Sequence, residues 1–328
     1  MGFHSTFDTG EQIDSYRIEG QIARSGMATI YKATDLRDNR TVALKIPHPD
    51  MESDPVLFDR FRREASIGER LDHPNVMHVY AEDKGAAKRS RLYMVMEWCE
   101  GRLLRKILDE GRISQERAIR ITMAVLDALD YIHANGVVHR DLKPENIMVD
   151  EDDHIKLIDF GIASDAGARR LTYANITAVL GTPNYISPEQ VKGKRGDARS
   201  DLYSVGVILY EMLTGKLPFT GPSPLAAMND RLLNHPLPPR VADPSVSPQL
   251  QEVIYRALER DPGNRYARAA EFRHDLEHLD EVGVADRDEI RNWHRRKAHL
   301  PRRIAYYASL ALIPVVILLV MLLLARRR

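Results

Sequence analysis

Asp141, Lys143 and Asn146 stand close together in VVHRDLKPENIMVD, residues 137–150, and Asp159 follows in KLIDFGIA, residues 156–163. The two carboxylates and the amide oxygen are hard donors of the kind that Mg²⁺ takes, alongside waters and phosphate oxygens. Lys143 adds a compact charge suited to a phosphoryl group in transfer. Either stretch alone reads as a charge-rich surface turn. Together, in this order and with 18 residues from Asp141 to Asp159, they read as one metal and phosphate site.

Such a site needs rigid elements to hold it. Up to about residue 100 the chain is rich in strand-like runs: YRIEGQIA, ATIYKATD, TVALKI, VMHVYAED and RLYMVMEW. One helical segment, PVLFDRFRREASIGERL, interrupts them, with Leu57, Phe61 and Leu71 as its apolar stripe. After residue 101 the pattern turns helical, in LLRKILDEG, SQERAIRITMAVLDALDYIHANG, DLYSVGVILYEMLTG, SPQLQEVIYRALERD and ARAAEFRHDLEHLDEVG. Short strands, NIMVD and HIKLIDF, lie between the second and third of these. The layout is α+β, a small β-rich lobe followed by a larger helical one.

HRDLKPEN at 139–146, DFG at 159–161, VALK at 42–45 and SPE at 187–189 resemble the protein kinase signature set. The resemblance runs from about Tyr16 to about Leu279, and GTPNYISPEQ is most similar to bacterial, eukaryotic-like, membrane-anchored Ser/Thr kinases. It implies a bilobal fold, with a flexible start at residues 1–15, an N-lobe over 16–99 and a C-lobe over 100–280. It implies ATP with Mg²⁺, or Mn²⁺, and transfer of the γ-phosphate to Ser or Thr hydroxyls of proteins. A small-molecule phosphotransferase on the same fold fits GTPNYISPEQ less well.

The resemblance also assigns roles. Lys45 would hold the α- and β-phosphates, steadied by Glu64. Asp141 would accept the substrate hydroxyl proton, Lys143 would sit on the γ-phosphate, and Asn146 and Asp159 would hold the metal. Met96 would be the gatekeeper of the adenine site, with the backbones of Glu97 and Cys99 facing the adenine edge. Ile22, Ile30, Ala43 and Met148 would sandwich the ring, and the Cys99 thiol would be a bystander. Glu189 with Arg265, and Asp201 with the catalytic loop, would be structural ties. Arg140 would receive a phosphate on the segment 162–187, where Thr172 and Thr177 are the candidates for autophosphorylation.

The lid departs from the pattern. In IARSGMATIYKA the three glycines of G-x-G-x-x-G are replaced by Ala23, Ser25 and Ala28, with Arg24, Gly26 and Met27 between them. Glycine serves such loops through φ > 0 and close backbone approach to phosphate. Ala and Ser are the next smallest residues, and nothing acidic has entered. An active kinase is therefore expected, with a membrane-tethered pseudokinase or scaffold as the alternative. Gly68, one turn beyond Glu64, is read as a hinge, since glycine costs a helix about 1 kcal/mol relative to alanine.

The net charge of zero hides two halves: nine of the 47 basic residues and no acid lie after residue 290, leaving 38 basic against 47 acidic side chains before it. An acidic body excludes a general nucleic-acid binder, and Cys99, the single cysteine, excludes an internal disulfide. Residues 304–325 carry no charge, enough for a helix of about 33 Å across a core of about 30 Å. Arg291, Arg295, Arg296, Lys297, Arg302 and Arg303 precede this span, and Arg326, Arg327 and Arg328 follow it as a short tail. The expectation is a single-pass cell-membrane protein with a cytoplasmic kinase domain and a basic juxtamembrane linker at 281–303. That linker either binds anionic lipids or acts only as a stop signal, and a homodimer is left open.

Overall fold

Period-two patterning makes the first lobe. The computed structural model describes residues 7–49, 54–81, 92–159 and 184–285, and Met1–Gly283 form one unit that holds both lobes. Strands β1 (Gln12–Ile13), β2 (Tyr16–Arg24), β3 (Ala28–Asp35), β4 (Arg40–Pro47), β5 (Val79–Tyr80) and β6 (Met94–Glu97) form one antiparallel sheet, in the order β1-β2-β3-β4-β6-β5. Along β4, Val42, Leu44 and Ile46 face a cluster with Ile18, Tyr31, Tyr93 and Val95. Ala43 points the other way, into a cluster with Phe61, Met77, Val79, Met94 and Met96. Lys45 alternates with Leu44 and so lies on that second face.

The second face is covered by α1 (Pro55–Gly68). Its start follows from Asp54, whose side chain accepts from the Val56 and Leu57 N–H groups, and from proline at the first helical position. Phe61 is buried, as the stripe requires, but the helix ends at Gly68, so Leu71 is buried from the following turn instead. The expected hinge at Gly68 is a packing contact: a Cβ there would lie 2.4 Å from Cγ2 of Val79 on β5. Only a glycine lets α1 approach the sheet this closely.

Gly101 joins the lobes at φ +118°, where a Cβ would meet the Val149 carbonyl at 2.4 Å. Beyond it lie β7 (Arg102–Leu103), α2 (Leu104–Asp109), α3 (Gln115–Ala134), β8 (Ile147–Val149) and β9 (Ile155–Leu157), with a small antiparallel sheet β7-β8-β9. Helices α4 (Pro188–Val191), α5 (Ala198–Thr214), α6 (Pro224–Leu233), α7 (Pro239–Ala242), α8 (Pro248–Ala257) and α9 (Ala269–Glu277) complete the lobe. Every residue of α5 from Ser200 to Thr214 is buried. A helix buried on every side is a core helix, and α5 packs against α3, α7 and α8.

The sequence reading missed α6, although Ser223 caps it and Pro224 starts it. The segment from Asn75 to Met77 is tied to the second lobe by backbone bonds, Leu157 N–H to Asn75 O at 2.8 Å and Met77 N–H to Leu157 O at 2.9 Å. Among the described residues no helix is long and apolar enough to cross a membrane, and the expected span at 304–325 lies outside them.

Candidate active site

Three elements bring the first charged group together. Lys45 comes from β4, Glu64 from the third turn of α1, and Asp159 from the residues after β9. The Lys45 ammonium donates to Glu64 Oε1 at 2.6 Å and to Asp159 Oδ1 at 2.7 Å. Burial opposes the Lys45 charge, but Glu64 and Asp159 outweigh it and raise its pKa. Burial pushes Glu64 up, to about 7, with Asp159 reinforcing the rise against the opposing pull of Lys45. The walls of the cleft also strip water from Asp159, yet Lys45 outweighs that and holds it at about 2. One ammonium thus serves two carboxylates of unequal acidity.

The second group is the loop between α3 and β8. Lys143 donates to Asp141 Oδ2 at 2.7 Å, and the Asn146 amide donates to the Asp141 carbonyl at 2.8 Å. A short 3-10 turn, Pro144–Asn146, sets this geometry, and the Ile158 N–H donates to the Asn146 carbonyl at 2.9 Å. That last bond places the turn directly beside the strand leading to Asp159.

Asp201 organises the loop from below. Its carboxylate accepts the backbone N–H of His139 at 2.9 Å and of Arg140 at 2.7 Å, and pairs with His133 Nε2 at 2.8 Å. Arg140 has φ +64°, a left-handed conformation costly for any residue with a Cβ and kept only where surrounding bonds over-determine it. Asp159 also has φ +64°. Glu189 and Arg265 form the expected tie: Arg265 Nη2 donates to Glu189 Oε2 at 2.7 Å and Nη1 to Oε1 at 2.8 Å.

At the crossing between lobes, Ala43 and Met96 are buried in one cluster against which Ile30 and Cys99 pack. Ile22, on the lid, is exposed, and Met148 lines a cavity of about 200 Å³ with Trp98, Cys99 and Lys156. The Glu97 N–H is taken by the His78 carbonyl at 2.8 Å, and its carboxylate by Lys156 at 2.8 Å. Its carbonyl accepts from the Cys99 thiol at 3.8 Å. Burial, reinforced by Glu97, pushes the Cys99 thiol up to about 12, which makes it inert.

Ser25 and Ala28 close the lid hairpin, and Gly26 at its tip does not use positive φ. Phe160 and Gly161, with Thr172, Thr177 and Thr182, lie outside the described residues.

Three residues escaped the sequence reading. Arg231, on α6 and almost wholly buried, donates to the Ile186 carbonyl at 2.8 Å and also to that of Asn184. It braces the segment ahead of α4. Tyr185 donates to Glu211 at 2.6 Å, and Arg105 reaches the same carboxylate at 2.9 Å. Each is an ordinary polar residue in sequence, and no spacing marks it.

A family description for the protein kinase domain matches residues 16–276. The chain belongs to the protein kinase family. A probable Ser/Thr protein kinase of Streptomyces coelicolor is 42% identical over 264 residues, covering 80% of this chain and 39% of that protein. The kinase PknB of Mycolicibacterium smegmatis is 39% identical over 84% of this chain and 45% of its own length. The chain therefore spans less than half the length of these curated relatives. The crystal structure of the Mycobacterium tuberculosis PknI kinase domain shares the fold, with a TM-score of 0.64 at 24% identity, covering 84% of this chain and 100% of that one. That of Rad53 residues 1–466 in complex with AMP-PNP gives 0.63 at 28% identity, over 79% and 64%.

Proposed function

We propose that this chain is a Ser/Thr protein kinase that transfers the γ-phosphate of ATP to protein hydroxyls. The observation that carries the reading is the joint presence of the Lys45–Glu64–Asp159 group and the Asp141–Lys143 pair, at 2.6–2.7 Å. Lys45, held by Glu64, meets the phosphates of the nucleotide. Asp141 orients the acceptor hydroxyl and takes its proton, and Lys143 offsets charge on the phosphoryl group in flight. The Asn146 side-chain N–H₂ is committed to the Asp141 carbonyl, which turns Oδ1 toward a cation. With the Asp159 carboxylate this fits Mg²⁺, which takes few protein ligands and adds phosphate oxygens. Bound there, the ion would neutralise phosphate charge. A pseudokinase would be expected to lack one of these groups, and none of the six is missing.

The test is the full chain with Mg·ATP and a generic protein substrate. Phosphate incorporation is expected, and an Asp141→Asn variant should lose about 10²–10⁴-fold in kcat. Equal labelling by both proteins would overturn the reading.

The same proposal extends to the chain's placement. An uncharged run at 304–325 flanked by arginines supports a single-pass membrane anchor with the kinase domain in the cytoplasm. Release of the full chain from membranes by alkaline carbonate would count against it. The basic residues 291–303 support contact with anionic lipids.

A further inference from the structure

We infer that Ser25 is a latch inside the lid, which competes with nucleotide phosphates for the lid's own amides. This rests on the ATP-binding reading above. Lids of this kind act by turning successive backbone N–H groups onto phosphate oxygens. Here two of those groups are already taken. The Ser25 hydroxyl accepts from Met27 N–H at 3.2 Å and from Ala28 N–H at 3.1 Å. The same hydroxyl donates to the Ala28 carbonyl at 3.1 Å, and the Ser25 N–H donates to that carbonyl at 2.9 Å.

A serine hydroxyl has one donor and two acceptor positions, and all three are used here. The turn is therefore satisfied by itself. It is also anchored at its root: the His48 N–H donates to the Met27 carbonyl at 2.9 Å, and Thr29 pairs with the His48 ring at 3.0 Å. A glycine at position 25 would carry no group able to cap these amides. A phosphate that takes the Met27 and Ala28 N–H groups must first displace the hydroxyl. The exchange trades the hydroxyl oxygen for phosphate oxygens on the same two amides, so it weakens phosphate binding without touching the adenine contacts.

Binding of Mg·ATP and of adenosine to the full chain decides the matter, using Ser25→Ala, Ser25→Gly and Ser25→Thr. Ser25→Ala and Ser25→Gly should tighten ATP about three- to tenfold, the scale of one net hydrogen bond. Adenosine affinity should not change, and Ser25→Thr, which keeps the hydroxyl, should match the wild type. Unchanged or weaker ATP binding in Ser25→Ala, with adenosine still bound, overturns this inference alone and makes the hydroxyl a spectator or a phosphate ligand. An equal shift for ATP and adenosine also overturns it, because it marks a general change of the lid. Absence of binding of either ligand by every protein overturns the nucleotide reading, and this inference with it.

Discussion

The Lys45 ammonium stands 2.6 Å from Glu64, and that distance depends on how closely α1 lies against the sheet. Glu64 is four residues before Gly68 on the same helix, so both point to one side. The absence of a side chain at Gly68 therefore bears on a contact made one turn away.

Gly68→Ala tests that dependence. Alanine gains about 1 kcal/mol of helix propensity, but its Cβ would enter the space of Val79, and overpacking costs about 1–3 kcal/mol. The net expectation is a small loss of stability with a larger loss of activity as Glu64 moves from Lys45. Adding Val79→Ala should restore activity, because it empties the space the new methyl needs. Kinetics of the single and double variants check this, and a fully active Gly68→Ala protein would refute it.

Glu64 and Asp159 should respond to pH in opposite ways. Glu64 is raised to about 7, so its contribution to stability is present below its ordinary value near 4.5 and is lost as pH rises through 7. Asp159 is depressed to about 2, so its contribution is present above 3.8 and is lost as pH falls through 2. The stability advantage of wild type over Glu64→Gln should therefore shrink between pH 4.5 and 7. Denaturant unfolding across that range measures it. Asp159→Asn should lower the Glu64 pKa, readable by carboxyl NMR, since Asp159 is one of the causes of its rise.

Arg265 is fully buried and its charge is met by Glu189. Removing one partner leaves an uncompensated buried charge, which costs about 3–5 kcal/mol. Glu189→Ala is expected to lose that much in equilibrium unfolding. The double change of Glu189 to Gln and Arg265 to Met should be milder than Glu189→Ala, because no lone charge remains.

Arg140 should become a phosphate receptor when the segment 162–187 is modified. Burial lowers its pKa, and the neighbouring Arg195 lowers it further. An incoming dianion would relieve that second penalty. Mass spectrometry of the full chain should find phosphate on Thr172 or Thr177, absent in Asp141→Asn, and Arg140→Ala should lower activity only in the phosphorylated protein. Unmodified threonines in active protein would contradict this.

The chemistry was legible in the sequence because it depends on short, local patterns. Asp141, Lys143 and Asn146 share one turn, and the period of two in TVALKI already puts Lys45 opposite Val42, Leu44 and Ile46. The helices α3, α5, α8 and α9 were legible from their apolar spacing. The pairing of Lys45 with Glu64, 19 residues apart, was legible only through the family resemblance, and the pairing with Asp159, 114 residues away, came only from the fold.

What the tertiary structure alone decided are the contacts whose partners carry no mark in sequence. Gly68 read as a loosened helix, and became a contact once β5 was placed against it. Arg231 is one arginine among many until α6 sets it under the carbonyls of Asn184 and Ile186. Ser25 looked like a tolerable substitute for glycine, and only the folded hairpin shows its hydroxyl on the amides of Met27 and Ala28. Residue type determines what a group can do, but which donor meets which acceptor is settled by packing among distant segments.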